Sequence, residues 1–247
     1  MSEQEFLGKN VLITGANSGI GYAQAKGFLK HGANVFAIDI KDDNLLNLQK
    51  NYGEFLQYQI ADVADKQAVE QAVKQFGAID ILLNTAGILD GYAKTLDTSE
   101  ALWDQIINTN LKGTYLVTNA VLPQMLALKK GCIINMTSIA GLVAGGGGAA
   151  YTASKHGIIG YTKQLDYDYI RDGIRANAIA PGAIETPMNA ADFAGDGKMA
   201  KWVADETPAG RWAKPEEVAD LTLFIASDKA DYIHGAVIPI DGGWIMK

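Results

Sequence analysis

Cysteine is almost absent: Cys132 stands alone among 247 residues, which excludes an intrachain disulfide and a cysteine-built metal site. Histidine is scarce too, and His31, His156 and His234 show no metal-ligand spacing, so no metal is expected. Positive charge is in deficit. The 21 Lys and Arg against 28 Asp and Glu leave a net charge of −7, which argues against nucleic acid or an anionic membrane surface as partner. No apolar run approaches the roughly 20 residues a transmembrane helix needs. The acidic, polar start Met1-Ser2-Glu3-Gln4-Glu5 is not followed by an apolar signal core. These gaps point to a reducing aqueous compartment, and a cytoplasmic location is expected.

What is present is the composition of an ordinary globular protein, 48% hydrophobic, 20% charged and 9% aromatic. Short apolar runs rich in β-formers fall at 10–14, 34–39, 55–60, 80–85, 132–137, 175–180 and 236–240. Helical patterns lie near 19–31, 65–76, 99–127, 151–171 and 215–226. Several runs are apolar with little alternation, as parallel strands covered on both faces are. Thr98-Ser99-Glu100 and Pro215-Glu216-Glu217 read as helix starts, with a cap or a first-turn proline followed by acids. The alternation predicts an α/β fold: a single-domain, Rossmann-type, doubly wound parallel sheet of about seven strands with helices on both faces.

No repeat, low-complexity linker or composition break divides 1–247, so one domain is expected. The stretch 188–212 shows no strand pattern and reads as an insertion over the sheet, a candidate substrate lid. Met188, Phe193, Met199 and Trp202 would form its apolar wall, and Gly195 and Gly197 its flexible points. The four glycines at 145–148 read equally as room for a bulky substrate or as a flexible turn.

The first run leads directly into Gly15-Ala16-Asn17-Ser18-Gly19-Ile20-Gly21, and a helical pattern follows. Glycine permits a tight turn and close approach to a pyrophosphate, whose charge meets free N–H groups at the positive helix end. The spacing is GxxxGxG, and alone it fits a ligand-free turn as well. Asp39, 18 residues after Gly21 at the end of the second run, shifts the balance. A carboxylate there accepts hydrogen bonds from the adenosine ribose hydroxyls and repels a 2′-phosphate. Neither Asn17 nor Ser18 is basic, and Lys41 is the one nearby counter-charge. NAD (NADH) is the expected cofactor, with NADP disfavoured.

Tyr151 and Lys155 stand at i and i+4, on one helix face. A phenol titrates near ~10 in water, and a neighbouring ammonium favours its anion, so the pair suits proton transfer to or from an alkoxide. The spacing alone is common on helix surfaces. Ser138, 13 residues before Tyr151 and at the carboxyl end of its run, adds a hydroxyl where open α/β sheets bind ligands. Asn110 reads by residue type as an ordinary helix asparagine. His156 points about 100° around the helix from Lys155 and reads as packing. Cys132 reads as core, and Asp166 and Asp168 as helix-surface or interface residues. Trp103, Trp202, Trp212 and Trp244 read as packing, with Trp202 set apart by its place in 188–212.

Residues 14–21, Asp62-Val63, Asn84-Thr85-Ala86-Gly87, Asn110, Ser138, 151–155, Pro181-Gly182 and Thr186 occur in an order and spacing that resemble the short-chain dehydrogenase/reductase family over nearly the whole chain. The 3-oxoacyl-(acyl-carrier-protein) reductase-like branch is the most similar, including Ile238-Pro239-Ile240-Asp241-Gly242-Gly243. The resemblance implies hydride exchange between nicotinamide and a ketone or secondary alcohol, with Tyr151 as acid/base. It makes Asn110, Ser138, Tyr151 and Lys155 a catalytic tetrad, Asn110 holding a water that links Lys155 to solvent. Lys155 would also bond the nicotinamide ribose. Gly15, Asn17, Ser18, Gly19, Ile20, Gly21 and Asp39 would hold the adenosine and pyrophosphate, and Asp62 and Val63 would border the adenine. Asn84, Ala86 and Gly87 would line the cofactor, and Pro181, Gly182, Ile184 and Thr186 would meet its nicotinamide end. Thr85 departs from the family's Ala.

The resemblance also implies a homotetramer built on 99–127 and 151–171, with Trp244-Ile245-Met246 suited to a further contact. The substrate is a small ketone or alcohol, or an acyl thioester. Two other readings stay open: a 3-oxoacyl-(acyl-carrier-protein) reductase and a non-catalytic dinucleotide-binding regulator. Against the first stand Asp39 and a chain whose basic patches are as modest as Lys129-Lys130.

Overall fold

Each of the seven apolar runs forms a strand, and each strand is followed by helix, so the chain returns to the same edge and the pairs are parallel. A computed structural model describes residues 4–246; Met1 to Glu3 of the acidic start lie outside them. The strands are β1 (Asn10–Thr14), β2 (Asn34–Asp39), β3 (Leu56–Ile60), β4 (Ile81–Asn84), β5 (Gly131–Met136), β6 (Ile174–Pro181) and β7 (Val237–Ile240). They pair in the order β3-β2-β1-β4-β5-β6-β7. Around them lie α1 (Gly19–Lys30), α2 (Asp43–Tyr52), α3 (Lys66–Phe76), α4 (Glu100–Ile106), α5 (Gly113–Leu128), α6 (Ala149–Tyr169), α7 (Lys198–Glu206) and α8 (Pro215–Ala226).

Alternation along β1 sends its side chains to two separate cores. Val11 and Ile13 pack with Phe28 of α1, Leu45 of α2 and Leu223 of α8. Leu12 packs instead with Val69 and Val73 of α3, Val117 and Val121 of α5 and Leu165 of α6. Full burial of one such side chain contributes about 1.5–3 kcal/mol, so the two-sided core holds the sheet rather than strand propensity. The strand order reverses between β1 and β4, which opens a crevice beyond their carboxyl ends.

The foreseen helix starts are present. Ser99 Oγ accepts from the Leu102 N–H at 3.2 Å, and Glu217 Oε2 accepts from the Lys214 N–H at 2.8 Å beside Pro215. Elsewhere the structure corrects the sequence reading. The pattern does not announce α2, because its 10 residues bury only Leu45 and Leu48 and its cap comes from outside. Asn17 Oδ1 accepts from the N–H groups of Asn44 at 2.9 Å and Leu45 at 3.2 Å. The single helix expected over 99–127 is interrupted by a π-helical segment, Ile107–Lys112, between α4 and α5.

The segment 188–212 holds a 3₁₀ stretch, Pro187–Phe193, and α7. Its two ends are tied together: Glu185 N–H donates to Ala213 O and Ala213 N–H to Ala183 O, both at 2.9 Å. Asp166, expected on the surface, is buried, because Ala176 N–H donates to its Oδ1 at 2.8 Å and the His234 ring lies 3.0 Å from the same oxygen. Asp168 remains exposed.

Thr85, where the resemblance expects alanine, has a specific partner. Its hydroxyl donates to Gln24 Oε1 at 2.7 Å, and Gln24 Nε2 donates to Thr222 Oγ1 at 2.9 Å, joining the end of β4 to α1 and α8. Thr85→Ala leaves the buried Gln24 oxygen without its donor and is expected to cost about 1–3 kcal/mol. The check is a lower urea midpoint at unchanged m value.

Candidate active site

The crevice beyond β1 and β4 widens into a cavity of about 1010 Å³, at the upper end of small-molecule sites. The wall includes Gly15, Asn17, Ser18, Gly19, Ile20 and Gly21 from the turn after β1, Asp39 from the end of β2, and Asp62 and Val63 after β3. Ala86 and Gly87 after β4, Ser138 after β5, Tyr151 and Lys155 on α6, and Pro181, Gly182, Ile184 and Thr186 at the end of β6 complete it. Asn84 and Asn110 stand behind this wall. Asn84 Nδ2 donates to Thr118 Oγ1 at 3.0 Å and Asn135 Oδ1 at 2.9 Å, inside the core.

The turn after β1 is built as an anion cradle. Gly15 has φ +68°, and any Cβ on Gly21 would collide with the Gly15 carbonyl, so both positions demand glycine. At the start of α1 the Ser18 side chain makes no cap and the first turn holds no acid, which leaves the positive helix end for a ligand. Asp39 accepts from the Asn17 N–H at 2.9 Å and the Lys41 N–H at 3.1 Å. Two bonds leave further lone-pair positions on a carboxylate, so it can steady the turn and still receive ribose hydroxyls. A dinucleotide therefore fits. Asn17 lends backbone and wall, since its side-chain oxygen caps α2.

Ser138, Tyr151 and Lys155 meet at the centre. Burial pushes the Tyr151 phenol up to about 12, opposed by a hydrogen bond with Ser138 and reinforced by Tyr92 and Asp90. Burial pushes Lys155 down to about 8. Its ammonium donates to Met136 O at 2.9 Å and lies 5.4 Å from the Tyr151 ring centre. Desolvation thus sets the direction of the phenol's shift, upward where the sequence reading expects a lowering. Asn110 sits in the π-helical segment: its Oδ1 accepts from Ile88 N–H at 2.8 Å, and its Nδ2 donates to Ile88 O at 3.0 Å and Ser154 Oγ at 3.1 Å. These bonds clamp the chain after β4 to α6. A Cβ on Gly87 would lie 3.4 Å from both Asn110 Oδ1 and Lys155 Nζ, so all three converge.

Asp90 escapes the sequence reading altogether. It is 4% exposed, yet its carboxylate accepts three backbone N–H groups: Gly148 at 2.8 Å, Tyr92 at 3.2 Å and Tyr151 at 2.9 Å. An anion at the start of α6 also meets the positive helix end. Little local marks it, because two of its three partners, Gly148 and Tyr151, lie about 60 residues on. The glycine run divides accordingly. Gly145 and Gly146 line the cavity, whereas side chains on Gly147 and Gly148 would strike the Tyr151 ring and Asp90. His156 is exposed and bonds Thr152 O at 2.9 Å, and burial pushes the Cys132 thiol up to about 11. Trp202, set apart in the sequence by its place in 188–212, lines the cavity; Trp212 and Trp244, whose sequence reading is packing, line it too, and Trp212 also packs on Phe193 with ring centres 4.8 Å apart.

Fold and cavity together define a Rossmann-type dinucleotide enzyme. The family model described as Enoyl-(Acyl carrier protein) reductase matches residues 15–245. A 3-oxoacyl-(acyl-carrier-protein) reductase FabG from Thermotoga maritima is 42% identical, over 97% of this chain and 98% of that protein. The structure of a 4-hydroxyisoleucine dehydrogenase complexed with NADH superposes with TM-score 0.91 at 32% identity, covering 97% of this chain and 99% of the other. A Beutenbergia cavernae structure with bound NADP gives TM-score 0.93 at 33% identity, covering 100% of both chains. The chain belongs to the short-chain dehydrogenase/reductase family, oxidoreductases of CH–OH and C=O groups that use a nicotinamide dinucleotide. Among the described residues, no group of His, Cys, Asp or Glu could hold a metal ion, and no helix is long and apolar enough to cross a membrane.

Asp90→Ala removes the acceptor from the first turn of α6 and lets Tyr151 drift. Because small misplacements of reacting groups cost up to ~100-fold, kcat is expected to fall about 10–100-fold while cofactor titration by fluorescence changes little. Asp90→Asn, which keeps one acceptor oxygen, should recover part of the rate.

Proposed function

We propose that this chain is an NAD(H)-dependent oxidoreductase interconverting a ketone and a secondary alcohol, with Tyr151 as its acid/base. The observation that carries this is the meeting of Ser138, Tyr151 and Lys155 on the same cavity wall as the glycine turn and Asp39. The nicotinamide, when bound, supplies or accepts the hydride. The Ser138 hydroxyl donates a hydrogen bond to the substrate oxygen, and Tyr151 gives that oxygen its proton in reduction and removes it in oxidation. A phenol raised by burial starts as the protonated donor that reduction requires. Lys155 bonds the nicotinamide ribose and feeds the proton path, and the π-helical segment at Asn110 holds the relay water. The Gly15 to Gly21 turn takes the pyrophosphate, Asp62 and Val63 the adenine, and Pro181 to Thr186 the nicotinamide end.

The choice of NAD over NADP is supported by charge. Asp39, Asp43 and Asp62 line the adenosine end, and Lys41 is the one cation beside them. A second reading, reduction of 3-oxoacyl groups on a carrier protein, draws on the Thermotoga maritima relative; the acidic chain weighs against an acidic carrier. The segment 188–212 acts as the substrate lid. A cytoplasmic homotetramer is the matching assembly, with Tyr115 and Tyr167 on the exposed faces of α5 and α6.

Tyr151→Phe is expected to lower ketone reduction by about 10²–10⁴-fold while NADH binding, followed by fluorescence, persists. Substantial residual turnover would reject the assignment. Initial rates with NADH should exceed those with NADPH, and Asp39→Ala should narrow that preference about tenfold, the effect of ~1.4 kcal/mol of charge repulsion.

A further inference from the structure

The cavity changes character along its length. At the adenosine end three carboxylates and Lys41 line it, whereas beyond Ser138 and Tyr151 the wall is apolar and aromatic: Met188, Met199, Trp202, Trp212 and Trp244. Among the described residues, no arginine lines the cavity, and its second lysine, Lys155, is buried and bonded to Met136 O. The one carboxylate on the substrate side among them is Asp192, in the 3₁₀ stretch Pro187–Phe193.

Asp192 is half-buried, and no donor offsets the desolvation that pushes its carboxyl up. Tyr92 stands close by: burial raises its phenol first, Asp192 and Asp90 next. Tyr92 also lines the cavity and holds φ +60°, an uncommon state for a side chain of this size. The Asp90 carboxylate that accepts its N–H keeps it there. Strain of this kind persists only where the surroundings enforce it.

We infer that the substrate is a ketone or secondary alcohol with an apolar body that is uncharged or cationic, and that Asp192 ranks substrates in the order cation, neutral, anion. The inference rests on the hydride-transfer reading. An organic ammonium entering here meets a carboxylate and the rings of Tyr92 and Trp202 in the same wall, the chemistry that recognises alkylated amines. A carboxylate or phosphate group would lose its hydration against methionine and tryptophan, with no free cation among the described lining residues to meet it and an anion opposite. Hydroxy acids and sugar phosphates are therefore poor fits.

Three ketones of one size test this: a trimethylammonio ketone, its tert-butyl carbon isostere, and levulinate. With NADH, kcat/KM is expected to fall in that order. Asp192→Asn should reduce the cation-to-isostere ratio about tenfold, the effect of ~1.4 kcal/mol of cation–carboxylate attraction in a partly exposed site. Asp192→Glu, which retains the charge, should keep most of it. Faster turnover of levulinate than of the isostere, or a ratio unmoved by Asp192→Asn, would overturn the inference. A chain that reduces none of the three but reduces an anionic ketone in a wider screen overturns the inference alone. One that reduces no carbonyl compound with either NADH or NADPH overturns the hydride-transfer reading beneath it.

Discussion

Opening a parallel sheet between β1 and β4 without leaving backbone groups bare is the constraint on which the rest of the molecule depends. One hydroxyl meets it. Thr14 Oγ1 accepts from the N–H groups of Thr85 at 3.0 Å and Ala86 at 3.1 Å and donates to Leu83 O at 3.5 Å. The strand ends are thereby held together while the chains diverge above them. The close approach continues at Gly15, where a Cβ would lie 2.8 Å from the Ala86 Cα. The phosphate cradle and the chain leading to Asn110 and Asp90 are consequently two lips of one joint.

That joint also explains what could be read from the residues in order. Parallel strands buried on both faces are near-continuous apolar runs, so all seven were legible, as were helices with caps of their own such as Ser99. The helix α2 was hidden because Asn17, 27 residues before Asn44, supplies its cap. The break at Asn110 was hidden because a π-helical segment keeps helical spacing nearly intact while shifting what the side chain meets. The site was legible where its chemistry is local, as in the glycine turn and the Tyr151/Lys155 pair. Asp90 and Asp192 were not, since their meaning lies in what folds against them. Asp166 illustrates the same limit: in an acidic, aromatic stretch it looks like surface, yet β6 closes over it.

Asp90 carries a compromise. Its anion stabilises the start of α6, an effect of about 0.3–2 kcal/mol depending on burial, and it locks the Tyr151 backbone. The same charge adds to the forces raising the Tyr151 phenol. The sequence reading assigns Lys155 the task of lowering that phenol, but burial acts on both groups: the tyrosine is pushed up to about 12 and the lysine down to about 8. At about 8 the lysine still carries its charge near neutral pH, so burial sets the direction of the phenol's shift while the fold supplies the positions of both groups.

The two halves of the cavity are built under different rules. The dinucleotide half is made of turns at strand ends, where Gly21 cannot gain a Cβ and Thr14 cannot lose its hydroxyl without disturbing the sheet. The substrate half comes from one excursion whose ends are tied by the Ile184 and Ala213 bridge. Between those ends its residues make no strand in the sheet, so their identities can change with little effect on the core. Relatives with one fold can therefore act on different alcohols and ketones. On the proposed reading, the informative residues for substrate are Asp192, Trp202 and Met199 on that excursion and Tyr92 on the same cavity wall, rather than the four residues proposed to carry the proton.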